Sequence, residues 1–222
     1  MTDLNRSEIR QRLAKVDASN VADVLDGLGL MDQGLHPSLR PFSGQRIAGF
    51  AYTIRGQNTP YSLAGDPDKM KACHGIGEDE ISVWSGDGDG TCYFGELIAL
   101  GMKERGSVGA LVDGGIRDVR WLEHHGFPVF ARYRSPIQSI ARWKVNAFQV
   151  PVFIRGATSP LVRINPGDFI LGDEDGVIAI PAEHIVNVLE RSEGLTRKEA
   201  QIRTDLASGL TLAEALAKYG HV

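Results

Sequence analysis

Two short segments carry residue types able to act on a small anionic substrate: Gly95-Glu96-Leu97-Ile98 and Asp113-Gly-Gly-Ile-Arg117-Asp118. The first opens a run of helical spacing that reaches Arg105 and stops at Gly106. The leading amide N–H groups of a helix lack internal partners and carry partial positive charge, which suits a carboxylate or phosphate, and a glycine there lets a ligand come close. A plain helix start, with Glu96 favoured by the macrodipole, has the same appearance. In the second segment, glycines at a strand end present a guanidinium and a carboxylate in one loop. An arginine fork suits a substrate carboxylate and an aspartate oxygen suits a hard divalent cation, so the doublet could hold both ends of a metal–oxo-acid chelate. A turn with Asp118 as a helix cap and Arg117 as a surface charge would also use these residues.

Other polar clusters carry less. Asp87-Gly-Asp-Gly90 and Asp173-Glu-Asp-Gly176 resemble pieces of calcium loops but lack the acidic ligand that should follow, and read as turns. His124 and His125 are consecutive on an expected helix, point in different directions and suggest a surface role. Cys73-His74 has no neighbour that would depress a thiol pKa. Arg132-Tyr-Arg134 and Arg142-Trp-Lys144 read as a solvated face or a subunit contact. With 24 basic against 28 acidic residues, net −4, there is no field to hold a nucleic-acid backbone. No apolar run approaches a membrane span of about 18–20 residues, the start MTDLNRSEIRQRL is polar, and two cysteines read as reduced thiols, so the expectation is a cytoplasmic protein without membrane or nucleic-acid partners.

The elements that must position these groups follow from periodicity. Ile9, Leu13 and Val16 mark a first helix, and Ser19 is positioned to cap a second over Asn20 to Leu28, so the first forty residues are expected to be helical. Arg46 to Ile54 and Glu80 to Trp84 alternate as strands, and Gln57 to Gly77 between them reads as an irregular connection. Val108 to Val112 is a short strand, Gly114-Gly115 a turn, Val119 to His125 a helix and Phe127 to Phe130 a strand. Such alternation implies parallel pairing, with ligands at the carboxyl ends of the strands, where Asp113 to Asp118 lie. Val150 to Ile154, Leu161 to Ile164, Asp168 to Leu171 and Val177 to Ile180 read as strands. A long charged helix then runs from Pro181 towards Leu206, and Thr211 caps a last one. The 222 residues, 42% hydrophobic, suffice for one α/β domain of layered β-structure, with helical ends over 6–29 and 182–219.

Gly95-Glu-Leu-Ile98, Val112-Asp-Gly-Gly-Ile-Arg-Asp118 and Gly126-Phe-Pro-Val-Phe130 together resemble the signature of the RraA-like family, whose pattern is an acidic residue, twenty intervening residues, then Arg-Asp. Val21 to Gly29 and Pro166 to Val177 also resemble family segments, whereas Asp66 to Gly90 departs from the usual connection and position 96 holds glutamate where aspartate is common. The family includes metal-dependent 4-hydroxy-4-methyl-2-oxoglutarate / 4-carboxy-4-hydroxy-2-oxoadipate aldolases. The resemblance implies a swivelling β/β/α fold and a homotrimer or hexamer acting on an oxo-acid. It assigns Asp118 to Mg²⁺ or Mn²⁺, Arg117 and the amides of Gly95, Glu96, Leu97 and Ile98 to the substrate, and a further metal ligand to a neighbouring subunit's glutamate, for which Glu193 and Glu199 are candidates. Glu96 is then the base for the C4 hydroxyl, directly or through a water that it and Arg117 orient, Arg117 also acts catalytically by helping to stabilise the enolate, and oxaloacetate decarboxylation should follow from that same enolate. A Schiff-base route would need a buried lysine, and none lies in these motifs. The family also contains non-catalytic regulators that bind and inhibit a ribonuclease, a role for which the constellation of Glu96, Arg117 and Asp118 is not needed.

Overall fold

The computed structural model describes residues 4–59, 65–86 and 88–220. In chain order the strands are β1 (Arg40–Ser43), β2 (Ile47–Asn58), β3 (Glu80–Ser85), β4 (Cys92–Phe94), β5 (Gly109–Ile116), β6 (Val129–Arg134), β7 (Trp143–Phe148), β8 (Val152–Arg155), β9 (Leu161–Ile164), β10 (Phe169–Gly172) and β11 (Val177–Ile180). The helices are α1 (Arg6–Leu13), α2 (Ala18–Gly27), α3 (Pro67–Gly75), α4 (Glu96–Lys103), α5 (Val119–His124), α6 (Ile185–Ala207) and α7 (Leu212–Tyr219).

β2 organises the sheet because its alternating apolar residues have a core on each side. Ala48, Phe50, Tyr52 and Ile54 face one way, Ile47 and Ala51 the other. It pairs in parallel with β3, which continues in parallel through β5 to β6, and antiparallel with β10, which carries β11. One face is covered by α1, α2 and α6 over β2, β10 and β11, and by α3, α4 and α5 over the parallel strands. The other face lies under the β8–β9 hairpin, through Val152, Ile154, Val162 and Ile164. The result is a mixed α/β domain with a curled sheet, the layered class expected. No helix of the described residues is long and apolar enough to cross a membrane.

Several local expectations are corrected. Helix ends at Gly27 and the chain is non-helical until β1, so the first forty residues are only partly helical. Ser19 lies inside α2. The amide of Ala18 is capped instead by Asp173 Oδ2 at 2.7 Å, from the turn between β10 and β11. That turn holds Asp173 buried, its Oδ1 accepting from the Asp175 amide at 3.1 Å, as expected of a turn. Asp87 of the other acidic loop lies outside the described residues. The connection Gln57 to Gly77 contains the end of β2 and all of α3, which begins with Asp66 as cap and Pro67 in its first turn.

Gly114 and Gly115 make no turn, because β5 runs through them to Ile116. A side chain at Gly114 would lie 2.1 Å from the Tyr93 ring, and one at Gly115 2.3 Å from the Thr91 carbonyl, so both glycines admit β4 and its flank against β5. The basic, aromatic stretch is divided: Arg134 and Arg142 are exposed, as expected of a solvated face, whereas Arg132 and Trp143 turn inward. Arg132 bonds Asp89 at 2.6 Å and approaches Asp113 at 3.5 Å, while Trp143 of β7 is buried and stacked on Tyr93.

Candidate active site

β4 is only three residues long, but its pairing with β5 brings two distant segments together. The Arg117 amide donates to the Phe94 carbonyl at 3.1 Å, so Arg117 and Asp118 emerge beside the start of α4. Asp118 has φ 60 and ψ 29, the left-handed region, which aspartate tolerates better than most residues. Its side chain does not cap its own helix α5. Instead Oδ2 accepts the Glu96 amide at 3.2 Å, at the first turn of α4, with Arg117 Nε 3.5 Å away. Gly95 makes room for this arrangement: a Cβ there would stand 2.6 Å from Asp118 Oδ2 and 3.2 Å from Arg117 Cγ. Its φ of −159 is ordinary extended backbone, so glycine is required by space and not by conformation.

A cleft of about 690 Å³ opens over these groups, and Gly95, Glu96, Leu97, Ile98, Arg117 and Asp118 all line it. It is lined as well by Asp66, the cap of α3, by Lys69 and Met70 of α3, and by Trp143 and Lys144 of β7. Glu96 Oε1 lies 3.3 Å from Nε2 of His125, whose ring stacks on Trp121. His124 is exposed as expected, but His125 is half-buried and touches the proposed base. Nothing in the sequence around His125 pointed to that contact.

Sequence reasoning also missed Lys69. The Asp66 carboxylate uses Oδ1 to cap α3 through the Lys69 amide at 3.0 Å and Oδ2 to accept the Val145 amide at 2.9 Å, fixing α3 against β7. Lys69 thereby enters the cleft with Nζ donating to the Tyr93 carbonyl at 2.5 Å and 5.5 and 5.8 Å from the rings of Trp84 and Trp143. Burial lowers its pKa, and the neighbouring Arg117 charge acts in the same direction. A lysine therefore does sit in the cleft, although outside the motifs that suggested the site. The thiols are poor nucleophiles: burial pushes Cys73 up to about 11 and raises Cys92.

Among the described residues no group of three or more His, Cys, Asp or Glu side chains could hold a metal ion. Both Glu193 oxygens bond Arg12 at 2.8 Å, and Glu199 lies between Asn20 at 3.4 Å and Arg203 at 3.6 Å, so these two candidate ligands are engaged within their own chain. Asp118 is different. Oδ2 is occupied, but Oδ1 accepts no hydrogen bond among the described residues. One carboxylate oxygen at an open cleft fits a hard cation such as Mg²⁺, which keeps several waters and completes its octahedron with substrate oxygens.

The chain is 30% identical to protein DlpA of Legionella pneumophila over 214 residues, which is 94% of this chain but only 33% of DlpA, so it spans about a third of that relative. It is 31% identical over 178 residues to a protein of Halalkalibacterium halodurans named "putative 4-hydroxy-4-methyl-2-oxoglutarate aldolase", covering 78% of this chain and 76% of the relative. Its fold matches that of Streptomyces coelicolor RraAS2, described as an unusual member of the RNase ES inhibitor RraA family, with a TM-score of 0.76 over 89% of this chain and 98% of the other at 20% identity. The family described as "RraA-like: Aldolase/RraA" matches residues 18–179, and this chain belongs to it.

Proposed function

We propose that the protein is a divalent-metal-dependent aldolase that cleaves 4-hydroxy-2-oxo diacids to pyruvate and a second oxo-acid. The observation that carries this reading is the convergence of the α4 amides, Arg117 and Asp118 on one cleft, with Glu96 at its edge. Arg117 and the amides of Gly95, Leu97 and Ile98 bind the oxo-acid carboxylate, the Glu96 amide being taken by Asp118 Oδ2. Asp118 holds Mg²⁺ or Mn²⁺, which when bound polarises the 2-oxo group and stabilises negative charge as the C3–C4 bond breaks. Glu96, oriented by His125, takes the C4 hydroxyl proton, directly or through a water. Protonation of the three-carbon fragment at C3 yields pyruvate. Oxaloacetate, which loses CO₂ through the same enolate, is the expected side substrate.

Exposed Leu97, Met70 and Ile140 edge the cleft, which supports closure by a neighbouring subunit in a trimer or hexamer. The protein is proposed to act in the cytoplasm. Measuring pyruvate release from 4-carboxy-4-hydroxy-2-oxoadipate and from oxaloacetate, with Mg²⁺ or with chelator, tests the reading. Metal-dependent release is expected from both. No release from either would leave a non-catalytic regulator, such as a ribonuclease-binding protein, as the better account, and a monomeric sedimentation profile would remove the assembly.

A further inference from the structure

Lys69 is a cation without a counter-ion. Among the described residues no carboxylate lies within ion-pair distance of its Nζ, although three acidic side chains line the same cleft. Each of those is committed: Asp66 to two backbone amides, Glu96 to His125, and Asp118 to the Glu96 amide and Arg117. The Tyr93 carbonyl and the faces of Trp84 and Trp143 offer Nζ partial negative charge. None supplies a full charge, and an ammonium drawn out of water without an anion is costly. Asp66 fixes the backbone that carries Lys69, since it holds the start of α3 to β7. The cleft thus carries three cations from different elements, Arg117 from the end of β5, Lys69 from α3 and Lys144 from β7, and Lys69 is the one whose Nζ lies against the Trp84 and Trp143 rings.

We propose that Lys69 recognises a second anionic group of the ligand, separate from the one held at Arg117, so that this cleft selects dianions over monoanions. The inference rests on the aldolase reading only for the identity of the natural substrate. The charge selection itself is a property of binding. The lowered Lys69 pKa fits an empty cleft, because an incoming anion would offset the burial that lowers it.

The test is equilibrium binding with Mg²⁺ present, read by the intrinsic fluorescence of Trp84 and Trp143 beside Lys69, using 2-oxoglutarate and 2-oxobutyrate, which differ in the distal carboxylate. The intact protein is expected to bind 2-oxoglutarate about 10- to 100-fold more tightly, the size of one lost charge-assisted hydrogen bond. In Lys69→Met, or Lys69→Gln if the first fails to fold, the preference should fall to within a few fold, while Lys69→Arg should keep part of it. An unchanged preference in a folded neutral variant, no preference in the intact protein, or no binding of either acid at millimolar concentration would overturn the proposal. So would a borohydride-reduced adduct of 2-oxoglutarate on Lys69, which would make it a neutral amine attacking the carbonyl. If the preference holds but no aldol substrate releases pyruvate, the aldolase reading fails and the dianion site stands.

Discussion

Replacing Gly95 by alanine separates the position of the Asp118 carboxylate from the stability of the fold. The new methyl would lie 2.6 Å from Asp118 Oδ2, about 0.8 Å inside the 3.4 Å at which ordinary contact begins. The backbone at Gly95 is extended and accepts any residue, so the strain falls on the carboxylate and on the Arg117 stem, 3.2 Å from the methyl at Cγ. Asp118 is 36% exposed and can relieve the clash by swinging towards solvent, giving up its 3.2 Å bond from the Glu96 amide. That costs about 1 kcal/mol of stability or less. Catalysis should suffer more, since a displacement of about 1 Å at a reacting centre costs roughly a hundredfold, or about 2.7 kcal/mol of barrier. The assay is metal-dependent pyruvate release coupled to lactate dehydrogenase, beside urea unfolding. Gly101→Ala in the same helix is the control, because its methyl meets nothing within 4 Å. If Gly95→Ala keeps kcat/KM within twofold of the parent, the geometry around Asp118 does not matter to the chemistry and the site assignment fails.

Asp118→Asn retains a side chain that tolerates the left-handed backbone, so it should fold normally and lose activity by about a hundredfold or more; a folded, active variant would remove Asp118 as the metal ligand. Gly114→Ala places a methyl 2.1 Å from the buried Tyr93 ring and should destabilise the protein by about 1–3 kcal/mol in urea unfolding, whereas unchanged stability would deny these glycines a packing role. Cys73 has its pKa raised from 9.0 to about 11, so the folded state holds the thiol proton that the unfolded chain releases first. That stabilisation is complete below pH 9 and is lost as the pH rises through 11. Cys73→Ala should therefore show a shallower fall in melting temperature between pH 9 and 11, and an identical slope in parent and variant would contradict the burial argument.

The site was legible where chemistry and spacing fall in one stretch. Gly95 to Ile98 and Arg117-Asp118 announced a helix start and a charged loop, and twenty intervening residues are what a helix and a parallel strand need to return beside the start. The segments that escaped depend on distant partners. β4 is three residues, too short for a period, and exists because two glycines of β5 let it approach. Asp66-Pro67 was an adequate helix start, but α3 buries only Ala72 and Cys73, so its apolar face is too thin to stand out from a polar loop. Trp143 and Arg132 looked like surface residues because their neighbours are basic, yet Tyr93 and Asp113 wait for them across the sheet. Lys69 and His125 acquire significance only through what folds against them.

The placement of β2 has a consequence for a chain made from its amino end. This strand begins at residue 47 yet is flanked on one side by β10, whose first residue is 169, and the cap of α2 is Asp173. A nascent chain that has reached β6 can pair β2 with β3, β3 with β5 and β5 with β6, and can assemble α4, Arg117 and Asp118. It still exposes the open edge of β2 and an uncapped α2. The groups assigned to catalysis are thus complete in sequence at Asp118, about fifty residues before β10 begins at Phe169, and during that interval the unpaired edge of β2 is where a stalled or truncated chain is most exposed to joining another copy.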